Sequence, residues 1–279
     1  QSSNNTAIGF QSLTFLNNNI AQKNVAVGFW SMQNSSGSVE GNSFLGAESG
    51  RRSTGIFSTG VGFQALGSLA GPANSGIQNT AVGQQALAFN GSGQQNSALG
   101  AESLYRVTSG SFNTGVGYRA GGAVTNGTNN TYIGYQSGSN ATTGTNNSTL
   151  GFNAQLPAAN TSNYIQLGNT AIATIHGQVA YTFGSDRRLK SNIQNSALGL
   201  DFIKTLRPVS YYRKADKDNK TEYGFIAQEI QEALYNVGDT NNGVITTHAE
   251  GMLGLRITDI IPMNVKAIQE QQELIEKLQ

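Results

Sequence analysis

Cysteine is absent from this 279-residue chain, which excludes disulfides and thiolate chemistry and suits a protein that must last outside the cell without redox support. No apolar run approaches the ~20 residues of a membrane span. Histidine is nearly absent: His176 and His248 lie far apart and show no metal-ligand spacing, so no metal and no cofactor is expected and His176 is read as structural. A formal net charge of +1 removes any bulk electrostatic case for nucleic acid or an anionic membrane.

Charge is also unevenly spread. Residues 1–184 hold five basic residues (Lys23, Arg51, Arg52, Arg106, Arg119), three glutamates (Glu40, Glu48, Glu102) and no aspartate. Residues 185–279 hold the other twelve Lys/Arg and thirteen Asp/Glu and read as an ordinary α+β sequence. The shift predicts a repeat region over 1–173, a neck over 174–184 and a second domain over 185–279. Residue 1 is a glutamine inside a repeat, so the chain is expected to be a piece of a longer one, with any signal peptide or stalk upstream.

What fills the first region is a repeat. Aligned on glycines 9, 28, 46, 62, 83, 100, 117, 134, 151 and 168, the spacings are 19, 18, 16, 21 and then 17 five times. The residue before each glycine is aliphatic in all ten copies, the third residue after it is Ser or Ala in all ten, and the fourth before it is Asn in eight. Period-two alternation puts the Ser/Thr and the aliphatic residue of each copy on one face of a short strand. Stacked β rungs are therefore expected, with the aliphatics as a ladder in a narrow core, a small residue where another strand or chain comes close, and Asn as a stacked amide ladder. The fixed glycine marks a bend or a positive φ. A rung of this length suits two short strands and two turns, and ten rungs make a rod of roughly 45 Å. A disordered linker would not hold two residue types in register ten times.

One aliphatic ladder is too little core for a monomer, and three chains sharing a core would remedy that. The pattern resembles the head repeats of trimeric bacterial adhesins, and repeats in phage and bacterial fibres. The resemblance implies a trimeric parallel β-roll or β-solenoid with short rungs.

Aromatic residues often follow the glycine: Phe10, Phe29, Phe63, Tyr118, Tyr135 and Phe152. With Trp30 they form either a ladder for stacking sugars or packing between rungs or chains, and regular spacing favours packing. The irregular rungs carry Phe29, Trp30, Arg51 and Arg52, which are the candidate ligand-binding residues.

The second region opens with "GSDRRLKSNI", residues 184–193. Ser185 or Asp186 can cap a helix, or Ser185 can be a nucleophile with Lys190 as its base. Five residues turn a straight helix by about 140° and reach the opposite face of a strand. Ser185 and Lys190 therefore meet only if the chain bends at Asp186–Arg188 or if a neighbouring protomer supplies the lysine.

Three further blocks follow in order: "LGLDFIKTLRPVSYYRK", "YGFIAQEIQEAL" and "DIIPMNVKAIQEQQELIEKLQ". Together the four blocks resemble the C-terminal intramolecular-chaperone autoprocessing domain of phage tail spikes and fibres, of some bacterial surface fibres and of a eukaryotic membrane-bound transcription factor. The resemblance covers about 95 residues, in which S-D-x-x-x-K falls on Ser185, Asp186 and Lys190. It departs from the family after "QEIQEAL", where many members have a proline-containing turn and this chain reads "YNVGDTNNGVITTH". The resemblance implies a domain that trimerises, guides folding of the fibre and then cuts itself off, with Gly184–Ser185 as the scissile bond, Ser185 as nucleophile and Lys190 as base. Lysine serves as a base when burial or neighbouring cations disfavour its ammonium, and Arg187 and Arg188 are adjacent.

The tail predicts a trimeric coiled coil from about residue 258, with Ile261, Ile268 and Ile275 on one seam and Ile257, Asn264, Gln271 and Leu278 on the other. The alternative is one amphipathic helix packed on its own domain. Asp259 is a candidate N-cap, and Pro262 must lie in the first turn or at a kink. The expected function is an extracellular fibre, on a bacterial surface or a virion tail, that binds a glycan or other receptor and carries a self-cleaving, single-turnover serine protease. The alternative is a glycan-degrading tail spike with the same chaperone. The repeat region offers that chemistry only three glutamates.

Overall fold

The computed structural model describes residues 4–14, 21–67, 73–172, 174–179, 182–214, 218–247 and 251–279, so His248 lies outside the described residues. The chain divides into two compact units, Gln1–Ile172 and Ala173–Gln279.

The first unit is a parallel β-solenoid. Its strands are β1 (Thr6–Ile8), β2 (Ala21–Gln22), β3 (Val25–Val27), β4 (Val39–Glu40), β5 (Ser43–Leu45), β6 (Thr59–Val61), β7 (Thr80–Val82), β8 (Ser97–Leu99), β9 (Thr114–Val116), β10 (Thr131–Ile133), β11 (Ser148–Leu150) and β12 (Ile165–Leu167). Ten of them stack in sequence order as one parallel sheet, and β2 pairs with β4 alone. Each rung thus gives the main sheet one three-residue strand rather than two. The rest of the rung turns, yet it keeps bonding along the axis. In each full rung non-glycine residues adopt positive φ, as Glu102 (53°), Leu104 (48°) and Phe112 (60°) do. That conformation aims the backbone N–H at a neighbouring rung: Glu102 donates to Gln84 O (2.8 Å), Leu104 to Ala120 O (3.0 Å) and Phe112 to Gln94 O (3.0 Å). A left-handed leucine costs roughly 1–2 kcal/mol. Its full burial returns about 1.5–3 kcal/mol, so the buried leucines Leu66, Leu87 and Leu104 sustain the turn.

The faces of the strand are the reverse of those the repeat predicts. The aliphatic and the Ser/Thr do share a face, but it is the outer one: Ile8, Leu45, Leu99, Leu150 and Leu167 are all exposed. The core instead takes the middle strand residue (Ala26, Phe44, Ala81, Ala98, Tyr132) and the left-handed Met32, Leu66, Leu87 and Leu104. The interior is narrow, because the turns close directly over the middle residue.

The other fixed positions hold the stack. Asn24, Asn42, Asn79, Asn96, Asn113, Asn130 and Asn147 are buried. Asn113 Nδ2 donates to Asn96 Oδ1 (3.1 Å) and to Gly127 O (2.8 Å), and its own Oδ1 accepts from Asn130 N (3.1 Å) and Nδ2 (3.0 Å). The small residue lies against backbone, where Ser49 Oγ donates to Gly60 O at 2.9 Å. At the rung glycines a left-handed backbone meets a close approach: φ is +126° at Gly134, and a Cβ there would lie 2.5 Å from Gly151 O.

The second unit is α+β: α1 (Leu200–Thr205), β13 (Val209–Tyr211), β14 (Glu222–Gly224), α2 (Ala227–Asn236), β15 (Ile245–Thr247), β16 (Leu253–Leu255) and α3 (Ile260–Leu278). β13 pairs with β14 and β15 with β16, both antiparallel. The helices α1, α2 and α3 bury Phe202, Ile230, Leu234 and Met263 together with Val244. Glu270 Oε2 accepts from Leu200 N at 2.7 Å, so the long helix satisfies an amide at the start of α1. Pro262 sits in the first turn of α3. Asp259 holds the cap position but makes no side-chain cap bond, and Arg256 pairs with it instead at 3.3 Å.

Candidate functional site

A short 3₁₀ turn over Arg187–Leu189 makes the bend, one of the two ways the Ser185–Lys190 spacing leaves for the pair to meet. Asp186 caps it: Oδ1 accepts from Arg188 N (2.8 Å), while Arg188 Nε and Nη2 grip the two carboxylate oxygens at 3.0 and 2.9 Å. These bonds hold the Asp186 carboxyl below the usual aspartate range. Lys190 N closes the turn onto Arg187 O at 3.1 Å. The chain thus reverses over one turn, and Lys190 Nζ donates to Ser185 Oγ at 2.7 Å within one protomer. Asp186 rather than Ser185 caps the turn, and the Ser185 hydroxyl lies against Lys190 instead. A Cβ on Gly184 would lie 3.3 Å from Leu189 Cδ1, so a larger residue would press on the turn. Ser185, Lys190, Arg187 and Arg188 are all exposed in the single chain, and so is His176.

α3 has two apolar faces. Ile260, Met263 and Ala267 are buried on the unit itself. Ile261, Val265, Ile268, Leu274 and Ile275 are exposed, as are Ile257 and Leu278. The helix therefore packs on its own domain and still carries the isoleucine seam.

In the solenoid the structure brings Phe29, Trp30 and Arg51 together. Phe10 stacks on Phe29 (5.5 Å) and Phe29 on Trp30 (4.5 Å), and Arg51 lies 4.6 Å over the indole. Arg51 also pairs with Glu48 at 3.0 Å. Arg52 joins through its backbone, donating to Gln33 O at 2.8 Å. Trp30 Nε1, Gln33 Oε1 and Arg51 Nε are buried without partners among the described residues. The regular aromatics also stack from rung to rung, as in Tyr118–Tyr135 and Tyr135–Phe152, each at 5.4 Å.

A second polar surface was not singled out by the motifs. Glu102 and Arg119 are 17 residues apart, one rung, and form a 2.7 Å ion pair beside a groove that also takes in Tyr105, Arg106, Gln136 and Ser139. Folding the charged positions onto the 17-residue period exposes this pairing, because equal offsets from the rung glycine land next to each other.

Residues 185–239 match the family model of the chaperone of endosialidase. The match begins on Ser185 itself and runs through α1, β13, β14 and α2. No curated protein and no solved structure matches the chain. A β-solenoid followed by such a chaperone fits a tail-fibre or tail-spike segment, and the family is in general one of self-cleaving serine-type proteases. Among the described residues no helix is long and apolar enough to cross a membrane.

Proposed function

We propose that this chain is a trimeric segment of an extracellular tail or surface fibre, that its solenoid binds a cell-surface glycan, and that its chaperone severs the Gly184–Ser185 bond. The observation that carries the cleavage is the 2.7 Å contact of Lys190 Nζ with Ser185 Oγ. In the reaction Lys190, as the neutral amine, takes the hydroxyl proton while Ser185 Oγ attacks the Gly184 carbonyl carbon through a five-membered ring. The ring opens by breaking the C–N bond, the proton passes to the departing Ser185 nitrogen, and an ester joins Gly184 to Ser185 Oγ. Water then hydrolyses the ester, leaving a Gly184 carboxylate and restoring the Ser185 hydroxyl.

Assembly supplies what the single chain lacks. An ammonium is disfavoured by burial, and Lys190 is exposed in one protomer. Packing of a neighbouring protomer over the turn would bury it and so tie cutting to correct trimerisation. The exposed isoleucines of α3, and separately the exposed aliphatic stripe of the solenoid, each support self-association into a trimer. A glycan-degrading spike is disfavoured by the carboxylates of the solenoid: Glu40, Glu48 and Glu102 each pair with a cation, Lys23, Arg51 and Arg119 respectively.

Mass spectrometry with light scattering tests the reading. Wild type should yield fragments 1–184 and 185–279, while Ser185→Ala and Lys190→Ala should each leave an intact trimer. The effects should be non-additive, because the two residues act as a unit. A wild-type trimer that stays one intact chain would overturn the cleavage and leave a permanent trimer clamp.

A further inference from the structure

We propose that the groove beside Glu102 and Arg119 is a binding site for an acidic oligosaccharide, with Arg106 as the cation that reads the ligand's negative group. The proposal rests on the reading of the solenoid as a glycan-binding fibre, and it moves the site from the irregular rungs to the regular ones.

The groove has a volume of about 300 Å³. That lies at the lower end of the roughly 300–1,000 Å³ of ligand pockets and leaves room for one or two sugar rings. Around Gly122 and Ala123, its polar lining comes from three consecutive rungs: Glu102, Tyr105 and Arg106 on one, Arg119 on the next, Gln136 and Ser139 on the third. Two guanidinium groups face one carboxylate here, which leaves one positive charge over. The carboxylate is committed, since Arg119 Nε bonds Glu102 Oε2 at 2.7 Å. The same guanidinium lies 5.3 Å over the ring of Tyr118. Arg106 carries the surplus charge: it is exposed, and no ion pair or side-chain hydrogen bond engages it among the described residues. In a repeat region with only five cations, a guanidinium left over beside a cavity is a directed feature rather than part of a solvated charged face.

The remaining lining matches a sugar. Tyr105 brings an aromatic ring, held edge-on by Phe89 at 4.9 Å between centroids, which fixes its attitude for the C–H face of a pyranose. Gln136 brings an amide whose side chain takes no hydrogen bond among the described residues, Gln155 Nε2 bonding its backbone O instead, and so has donor and acceptor free for hydroxyls. A neutral sugar would use the ring and the amide but leave Arg106 idle. A ligand bearing a carboxylate or sulfate uses all three, and Arg binds such groups bidentately.

The test is a panel of uronate-, sialate- and sulfate-bearing oligosaccharides, each with its neutral counterpart, titrated against the full purified chain. At least one acidic glycan should bind and its neutral counterpart should not. Arg106→Ala should raise the Kd at least tenfold and Arg106→Glu should abolish binding. Both should stay close to the wild-type melting temperature, because Arg106 is exposed and no ion pair or side-chain hydrogen bond among the described residues depends on it. Lys23→Ala, which removes a distant cation, should bind as wild type and so rule out a bulk charge effect. Acidic binding that survives Arg106→Ala, or that is lost in Trp30→Ala instead, would overturn the groove while leaving a glycan-binding solenoid in place. Equal binding of acidic and neutral members would also overturn it. Binding of no glycan at all would overturn both this site and the receptor reading beneath it.

Discussion

Arg188 grips both carboxylate oxygens of Asp186, two residues back, and the turn they close is the one that lays Lys190 Nζ on Ser185 Oγ. The pair is exposed, so its role is orientation rather than stability. Asp186→Ala should slow cleavage by about 10- to 100-fold, the scale of a misplacement near 1 Å, without changing Ser185 or Lys190. Cleavage followed by mass spectrometry against time reads this out. Asp186 has a depressed carboxyl pKa, because Arg188 bonds its ionised form. Its contribution is therefore complete above the ordinary aspartate value of 3.8 and is lost as pH falls below that value and through the depressed one. An Asp186→Asn chain, which keeps the cap but not the charge, should lack this acid transition in the turn. An identical acid response in both chains would remove Asp186 from the account.

The asparagine ladder should be costly to break at any inner rung. Asn113→Ala would leave Gly127 O and the Asn130 amide without the partners they now have, inside a buried stack. Each unsatisfied buried group costs about 1–3 kcal/mol, so a loss of roughly 2–5 kcal/mol is expected in the solenoid melt. Asn146→Ala is the contrast: its amide bonds Asn163 on the exposed edge, so the change should cost no more than the roughly 1–2 kcal/mol of placing alanine at its left-handed φ of 56°.

Gly134 and Gly37 separate two costs of glycine replacement. Both have positive φ, +126° and +83°, but a Cβ on Gly134 would strike Gly151 O at 2.5 Å, whereas Gly37 has open space around it. Gly37→Ala should cost about 1–2 kcal/mol for backbone strain alone. Gly134→Ala should cost distinctly more and should split the ladder at that rung. Gly134 also has the less accessible backbone, since φ +126° lies far beyond the left-handed region at about +57°, so thermal melts of the two variants set contact and conformation together at the repeat glycine against conformation alone at Gly37.

Much of this was legible in the residues, for definite reasons. Ten coincident aliphatic–glycine steps can only be a stack, and Asn in eight rungs can only be a ladder, because both need register. The site spacing left two ways for Ser185 and Lys190 to meet, a bend at Asp186–Arg188 or a lysine from a neighbouring protomer, and the 3₁₀ turn over Arg187–Leu189 supplies the bend. Which side of the strand faces inward was not legible. Period two gives two faces without a sign, and the buried one holds residues as unlike as Gly60, Phe44 and Tyr132. The single strand per rung was hidden by leucines in left-handed backbone, such as Leu87 and Leu104, where intrinsic preference argues against the turn and inter-rung bonds override it. The two faces of α3 were hidden because Met263 and Ala267 interleave with the isoleucine seam, so one helix packs on its own domain and still exposes that seam.

The inverted faces give the sharpest test of assembly. Val116, Ile133 and Leu150 stand opposite one another on β9, β10 and β11, in register and on the outer surface. Ile133 is 39% and Leu150 51% exposed in the single chain. If the stripe faced water in the working protein, Ile133→Glu with Leu150→Glu would be nearly neutral, since surface substitutions usually fall within about 0.5 kcal/mol. If three stripes meet, each change removes apolar burial worth up to about 1.5–3 kcal/mol per side chain and crowds three carboxylates together. The double variant should keep its far-ultraviolet spectrum, because the inner core and the asparagine ladder are untouched. Light scattering on the Ser185→Ala background should fall from three chain masses towards one at low protein concentration. Cleavage in the wild-type background should slow in parallel, because the dyad would lose the packing of its neighbours. A double variant that stays trimeric and cuts at the normal rate would place the trimer contacts elsewhere and leave the exposed aliphatic ladder without a role in assembly.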